Sequence, residues 1–331
     1  MRPTTAVPRP HLRAELRPAR DRGPRPTQAR ESAPRPTPPA VLWAARAQED
    51  SLKRLHGIDA FDVHTEPFSR RRDRRKPRGR LRAEELVPDG DGGARVPEIA
   101  WMLGRGYLDE VIGELKSGKE ATVYLGSTRL GLAAVKVYRD LAVRSFKNDA
   151  RYRAGRYIGD TRVEKAIAQG SAFGRRAQGR LWAGHEYTML WRLWAAGVPV
   201  PEPLVGPDPS DIGAAGEVVL MRFVGDEDGP APRLSDVRLA GEEAEAAFDQ
   251  AVRAMAAMWR LGIVHGDYST YNLLWWRGQV VVIDLPQAVE ASHGEARELL
   301  ARDAASLCRT FRTHGIEAAS EAVVRAVLAD G

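Results

Sequence analysis

Three polar residues, His265, Asp267 and Asn272, have the spacing H-x-D-x-x-x-x-N within the stretch VHGDYSTYN. Twelve residues after Asn272, the β-branched run VVVI leads into a second carboxylate, Asp284. Phosphoryl transfer needs such a set, because one carboxylate accepts or orients the hydroxyl proton while an amide oxygen and another carboxylate hold Mg²⁺ on the phosphates. The D-x-x-x-x-N spacing alone is common in ordinary turns. With His265 before it and the run into Asp284 after it, the pattern favours a nucleotide-phosphate site.

A glycine turn far upstream is a second candidate for contact with phosphates. Ser117, Gly118 and Lys119 precede an apolar, strand-like run, and backbone N–H groups at such a turn can bind phosphate oxygens. The turn is neither a G-x-x-x-x-G-K-[ST] loop nor a G-x-G-x-x-G loop. Taken in isolation, it is more often a plain hairpin turn than a phosphate site.

A single lysine follows this turn on a predicted strand. Lys136 stands between two valines in LAAVKVY, and a lysine on an alternating strand usually faces solvent. Its distance from the glycine turn, however, is typical of the strand lysine of kinases, which pairs with a helix glutamate. The amphipathic helix predicted over residues 181–194 contains one acid, Glu186. We therefore predict a Lys136–Glu186 ion pair.

Composition limits the class of protein. The chain has 331 residues, a length that is enough for one large or two ordinary domains. Its net charge is +6. Its one cysteine, Cys308, excludes an internal disulfide framework and favours a reducing compartment. No apolar run approaches the roughly 20 residues that span a bilayer, and the N-terminus has no secretory apolar region. We expect a soluble, cytoplasmic protein without a membrane contact.

The excess positive charge lies in the first 95 residues, which carry 22 Lys and Arg against 13 Asp and Glu. We predict that residues 1–95 form a disordered Pro/Arg-rich tail, because they contain too few apolar residues to offset the cost of ordering. Residues 70–82 include nine basic side chains and could contact RNA or a ribosome through phosphates. They contain no aromatic residues to stack on bases, which slightly favours a solvated tail instead. The folded domain is predicted over residues 96–331.

Taken together, these motifs resemble the RIO family of atypical serine/threonine protein kinases over about residues 100–315. The matching segments are SGKEA at 117–121, VKVY at 135–138, P-x-PEP at 199–203, GPAP at 229–232, HGDYS at 265–269 with Asn272, and ID-x-PQ at 283–287. The SGKEA and ID-x-PQ segments are specific to this family. The chain is similar to the first RIO subfamily, since the second carries an N-terminal winged helix where this chain has its Pro/Arg-rich tail.

The resemblance implies an α+β, two-lobed protein-kinase-like fold. The first lobe, about residues 96–224, would combine an antiparallel sheet with a helix, and the second, about 225–331, would be a reduced helical lobe without an activation loop. The 47 residues after Asp284 agree independently, because they leave no room for such a loop and for peptide-binding helices.

The resemblance also assigns roles within the site. Ser117, Gly118 and Lys119 would contact phosphates, and Lys136 would pair with Glu186. Met221 would be the gatekeeper residue, and the backbone of Arg222 and Val224 would hold the adenine of ATP. Asp267 would be the catalytic base, with Asn272 and Asp284 on Mg²⁺ or Mn²⁺. Some family members work as ATPases that phosphorylate the metal-binding aspartate, and eukaryotic and archaeal members act in maturation of the small ribosomal subunit.

Three functions remain open at this point. The leading one is an ATP- and Mg²⁺-dependent serine/threonine kinase or ATPase that phosphorylates itself or another protein and contacts the ribosome. The alternative is a small-molecule phosphotransferase of the aminoglycoside/choline kinase kind, which would need a larger helical region after Asp284. The third is a scaffold that binds RNA or the ribosome through its tail and uses nucleotide only to set its shape.

Overall fold

The computed structural model describes residues 83, 86, 96–139 and 161–330. The predicted disorder of the tail and the basic run at 70–82 therefore lie outside the described residues. Within the predicted tail, Ala83 and Leu86 are described, and Leu86 is fully buried in the main core. The domain boundary at residue 96 stays a prediction.

An antiparallel sheet of four strands, in the order β1-β2-β3-β4, forms the first lobe. Its strands are β1 (Glu110–Ser117), β2 (Ala121–Thr128), β3 (Gly131–Tyr138) and β4 (Val218–Arg222). Its helices are α1 (Pro97–Arg105), α2 (Thr161–Ala168), α3 (Ala172–Ala195) and α4 (Pro209–Ala215). Burial alternates along β2, as expected for a strand whose successive side chains point to opposite faces.

Helix α3 is longer than the helix predicted over residues 181–194. It begins at Ala172, after Ser171, whose side chain accepts a hydrogen bond from the Gly174 backbone at 3.0 Å and so caps the helix. A Cβ atom at Gly174 would lie only 2.0 Å from the Ala166 carbonyl oxygen of α2. The glycine is therefore required for the close packing of α2 on α3. Residues 161–180 are helical except for the short link between these two helices.

The second lobe is mainly helical and contains three short antiparallel strand pairs. Its helices are α5 (Gly241–Arg260), α6 (Ala296–Phe311), the 3₁₀ turn Arg312–His314 and α7 (Ser320–Ala329). The strand pairs are β5 (Gly225–Asp226) with β6 (Gly229–Pro230), β7 (Ile263–Val264) with β10 (Val289–Glu290), and β8 (Leu273–Trp276) with β9 (Gln279–Val282). Only eleven residues separate Asp284 from α6. The predicted two-lobed α+β architecture is confirmed.

The two lobes meet at the link after β4 and along α3. At the link, a Cβ atom on Gly225 would lie 2.4 Å from the Gly229 carbonyl oxygen, so only glycine fits there. Along α3, His185 Nε2 lies 2.8 Å from the Ala288 carbonyl oxygen, and Arg192 donates to the Leu261 carbonyl oxygen at 2.9 Å. Across residues 96–139 and 161–330, none of the helices has the length and apolarity needed to cross a bilayer.

Candidate active site

A cleft of about 640 Å³ separates the sheet of the first lobe from the second lobe. Most of the predicted site residues line this cleft, namely Gly118, Lys119, Lys136, Glu186, Met221, Arg222, Val224, Asn272 and Asp284. Two predicted residues, Ser117 and Asp267, are not among its lining residues. Residues far apart in the sequence thus share one cavity, whose upper wall comes from β1, β2 and β3.

Lys136 of β3 lies at the centre of a buried charge cluster. Its Nζ is 2.7 Å from Glu186 Oε1 of α3 and 2.7 Å from Asp284 Oδ1. Burial alone would lower the pKa of Lys136, but the charges of Asp284 and Glu186 outweigh it, so the pKa is well above its usual value. The lysine is therefore a fixed cation between a helix of one lobe and a carboxylate of the other.

Asp284 follows β9 with a left-handed φ of 68°, a conformation that aspartate adopts more readily than most residues. Burial would raise the pKa of its carboxyl group, but the charge and hydrogen bond of Lys136 dominate and lower it. Its side chain nevertheless remains 46% exposed to the open cleft. Asp284 thus offers an ionised carboxylate with room for a second interaction.

Asp267 and Asn272 form a local pair at the edge of the cleft. Asn272 Nδ2 donates to the Asp267 carbonyl oxygen at 2.9 Å and to Asp267 Oδ2 at 3.0 Å. Partial burial and the negative charge of Asp284 raise the pKa of Asp267, while the Asn272 hydrogen bond opposes them. Because the amide nitrogen of Asn272 is engaged with Asp267, its amide oxygen is the atom left to accept a further partner.

Asp303, which lies outside the cleft lining, fixes the backbone on either side of Asp267. Asp303 of α6 accepts hydrogen bonds from the backbone N–H of Gly266 at 2.8 Å and of Tyr268 at 2.9 Å. Burial raises the pKa of Asp303 to about 7 although both of these bonds oppose the shift. Asp303 was not predicted as a site residue, because no local motif marks a single aspartate within an amphipathic helix.

His265 connects this loop to the strand that leads to Asp284. Its Nε2 donates to the Ile283 carbonyl oxygen at 3.1 Å, and its Nδ1 accepts from the Asp267 backbone N–H at 3.3 Å. Burial lowers the pKa of His265 to about 4, so the ring is neutral and can make both bonds at once. The histidine of the motif is thereby placed as a structural link between the two carboxylate-bearing segments.

The glycine turn closes the cleft from above. Gly118 N donates to the Ala121 carbonyl oxygen at 2.9 Å, and Lys119 is exposed beside it. The Ser117 hydroxyl is bonded to the Arg139 guanidinium, away from the cleft lining. Glu120, which the sequence analysis did not single out, lines the cleft, and its pKa is raised by partial burial and by the charge of Asp284.

The link between the lobes supplies the other end of the cleft. Met221 is 9% exposed at the end of β4, and Ala231 N donates to the Val224 carbonyl oxygen at 2.9 Å. The Arg222 side chain bonds to Glu202, with Nη2 at 2.8 Å from Oε2. The predicted nucleotide contacts of these residues stay predictions.

A two-lobed fold with a lysine–glutamate pair above the cleft and carboxylates below it defines the protein-kinase-like class of proteins. Comparison with known proteins gives the same class. The sequence model of the RIO domain family (RIO1: RIO domain) matches residues 122–324, and the chain belongs to this family. The predicted membership of the RIO family is therefore confirmed, and the small-molecule phosphotransferase alternative is not favoured.

Individual relatives support this assignment. The chain is 34% identical over 283 residues to the RIO-type serine/threonine-protein kinase Rio1 of Haloferax volcanii, with 82% of this chain and 89% of the relative covered. It is 33% identical over 217 residues to human serine/threonine-protein kinase RIO1, which covers 65% of this chain. The match spans only 35% of the human protein and 44% of the Chaetomium thermophilum RIO1 kinase.

Solved structures share the fold at low identity. A crystal structure of the Rio2 kinase–ADP/Mg²⁺–phosphoaspartate complex from Chaetomium thermophilum is similar with a TM-score of 0.51 and 19% identity. The similarity covers 71% of this chain and 66% of that one. At this identity the likeness establishes the kinase-like fold.

Proposed function

We propose that this chain binds ATP with Mg²⁺ in the cleft between its lobes and transfers the γ-phosphoryl group to a serine or threonine hydroxyl, on itself or on another protein. The single observation that supports this most is the contact of Lys136 with both Glu186 and Asp284 at 2.7 Å. One cation thereby joins the sheet, the long helix and the carboxylate below the cleft. Phosphoryl transfer depends mainly on such positioning and on charge stabilisation.

Each residue has a distinct proposed role. Lys136, held by Glu186, would bind phosphate oxygens, and the glycine turn with Lys119 would cover them from above. Asp267 would accept the proton of the acceptor hydroxyl as the new phosphorus–oxygen bond forms and ADP leaves. Its raised pKa suits this role, because a general base works best when its pKa approaches the working pH.

The residues present fit a divalent cation with oxygen ligands. Asn272 has its amide oxygen left for a further partner, and Asp284 is ionised, partly exposed and bonded to Lys136 through one oxygen. Among the described residues there is no cluster of three or more His, Cys, Asp or Glu that could hold a metal alone. This suits Mg²⁺, which is usually bound by one or two protein ligands together with phosphates and water. When bound, the ion would neutralise charge on the phosphates.

Asp284 supports a second activity, an ATPase cycle through a phosphoaspartate. The Rio2 structure named above is a phosphoaspartate complex, and Asp284 here combines a lowered pKa with 46% side-chain exposure. In such a cycle an Asp284 oxygen attacks the γ-phosphorus, the bond to ADP breaks, and water then hydrolyses the acyl phosphate. This cycle releases phosphate without a hydroxyl acceptor.

The partners and location are proposed on the basis of the sequence alone. The excess of positive charge in residues 1–95 supports an electrostatic contact with RNA or the ribosome. A single free cysteine, Cys308, supports a reducing compartment, and we propose the cytoplasm.

Incubation with γ-labelled ATP and Mg²⁺ tests both activities together. Label that survives acid indicates phosphoserine or phosphothreonine, whereas label removed by hydroxylamine indicates an acyl phosphate on a carboxylate. We expect one or both in the wild-type protein and neither after addition of EDTA or in Lys136→Met. The absence of both label and released phosphate in the wild-type protein would refute the proposed function.

A further inference from the structure

Tyr138 is a buried residue of the cleft that has no part in the function proposed above. It lies two residues after Lys136 on β3, lines the cleft and is only 1% exposed. Its hydroxyl donates a hydrogen bond to Glu186 Oε2 at 2.7 Å. Lys136 Nζ lies 5.1 Å from the centroid of its ring. The tyrosine therefore contacts both members of the central ion pair.

Glu186 consequently has a separate donor on each carboxylate oxygen. Lys136 bonds to Oε1 and Tyr138 bonds to Oε2, both at 2.7 Å. Glu186 is 1% exposed, and a buried carboxylate oxygen without a donor is costly. Without the tyrosine hydroxyl, Lys136 would be the one side-chain donor left to the Glu186 carboxylate among the described residues.

The backbone of Tyr138 is held from two directions. Tyr138 pairs with Ala121 of β2, and its N–H donates to the Glu217 carbonyl oxygen at 2.9 Å. The hydroxyl group therefore belongs to a side chain on a rigid strand. Such a strand places a hydrogen bond more precisely than a loop does.

We propose that Tyr138 is a positioning residue that keeps Glu186 in place while Lys136 exchanges Asp284 for nucleotide phosphates. Lys136 now bonds to two carboxylates, and a metal ion on Asp284 would leave it with Glu186 and the phosphates. Glu186 must then hold the lysine without the help of Asp284. The second hydrogen bond, from Tyr138, fixes the carboxylate through this exchange. The inference rests on the proposed use of ATP and adds a residue to it.

Tyr138→Phe removes this hydroxyl and little else. We expect the KM for Mg-ATP to rise several-fold and kcat to fall, with kcat/KM about tenfold lower or more, as for the loss of a hydrogen bond to a charged group. A purely structural role would reduce the amount of folded enzyme but leave KM unchanged. The KM of the folded protein, measured well below its melting temperature, is therefore the decisive quantity.

Tyr187→Phe is the matched control. Tyr187 is also fully buried in the first lobe, and its hydroxyl accepts a hydrogen bond from the Leu220 backbone N–H at 2.6 Å. Its loss removes one buried hydrogen bond without freeing either oxygen of Glu186. We expect its KM for Mg-ATP to equal that of the wild type. Equal KM values in the Tyr138 and Tyr187 variants would overturn the inference.

Comparison of the double variant Tyr138→Phe/Glu186→Gln with the single variant Glu186→Gln gives a second test. If Tyr138 acts through Glu186, adding Tyr138→Phe to Glu186→Gln should change KM by less than about twofold. A further several-fold rise would contradict the inference. Failure of the proposed function is distinguishable, because the wild-type protein would then show neither Mg-ATP binding nor turnover.

Discussion

The replacement of Asp303 by Asn tests how the catalytic loop is held. The two oxygens of Asp303 accept from the N–H groups of Gly266 and Tyr268, the residues on either side of Asp267. Asparagine retains one acceptor and presents an NH₂ group to the other N–H. One buried hydrogen bond to a charged acceptor is lost, and such bonds are worth about 1.5–3 kcal/mol.

The loss of this hydrogen bond sets the expected fall in melting temperature. For a domain of about 150–250 residues, each kcal/mol shifts Tm by about 2–4 °C, so we expect Tm to fall by about 3–12 °C at pH 8. Turnover should fall more than stability suggests, because a displaced Asp267 no longer aligns the acceptor hydroxyl. We expect kcat to drop at least about tenfold, with KM for Mg-ATP near the wild-type value, since Lys136 and Asp284 are untouched.

Thermal unfolding and steady-state turnover, both at pH 8, measure the two effects. Leu307→Ala is the matched control, because Leu307 is fully buried on the same helix, α6, and its truncation costs about 2–5 kcal/mol while leaving the Asp303 carboxylate and its two acceptor oxygens in the chain. Its kcat per folded molecule should stay near wild type. The reasoning is refuted if Asp303→Asn retains wild-type kcat, or loses no more than Leu307→Ala does.

Three further predictions concern charge. Burial raises the folded-state pKa of Asp303 to about 7, so the folded state binds an extra proton between about pH 4 and 7 and loses stability as pH rises through that window. In denaturant titrations, the free energy of unfolding of the wild type should therefore exceed that of Asp303→Asn by more at pH 5 than at pH 8. An equal difference at the two pH values would contradict this. Asp267→Asn should keep its affinity for Mg-ATP while the rate of phosphoryl transfer falls about 10²–10⁴-fold. Asp284→Asn should lose both transfer and the Mg²⁺-dependent affinity for ATP. If calorimetry shows weak Mg-ATP binding in Asp267→Asn and normal binding in Asp284→Asn, the two roles are exchanged. Deleting residues 1–80 should leave turnover unchanged but lower the salt dependence of RNA or ribosome binding. The slope of log affinity against log salt concentration should fall by about 0.7–0.9 per lost phosphate contact. Unchanged binding at all salt concentrations would show that the tail does not contribute to this contact.

The sequence predicted the fold class, and most of the predicted site residues line the cleft, because local motifs mark them. The H-x-D-x-x-x-x-N spacing and the apolar run into Asp284 are short-range patterns, and the resemblance to a known family supplied the two lobes. The contact between Lys136 and Asp284, at 2.7 Å across 148 positions, depends on tertiary structure. No spacing rule predicts it.

What the sequence did not predict has physical reasons. The early start of α3 was missed because glycines such as Gly174 weaken a helical pattern, although Ser171 offered a capping signal and the packing against α2 requires the glycine. Asp303 and Tyr138 were missed as functional residues because each acts through a hydrogen bond to a distant segment. Such partners emerge only when the helices and strands are packed together.

Thermal unfolding of the wild-type protein with and without Mg-ATP tests the central claim most directly. A ligand at about 100 times its Kd stabilises the folded state by roughly 2.7 kcal/mol, which corresponds to a Tm rise of about 5–11 °C for a domain of this size. We predict that this rise requires both Mg²⁺ and ATP and is largely lost in Asp284→Asn. A Tm that saturating Mg-ATP leaves unchanged in the wild-type protein would contradict the assignment of the cleft as a nucleotide site.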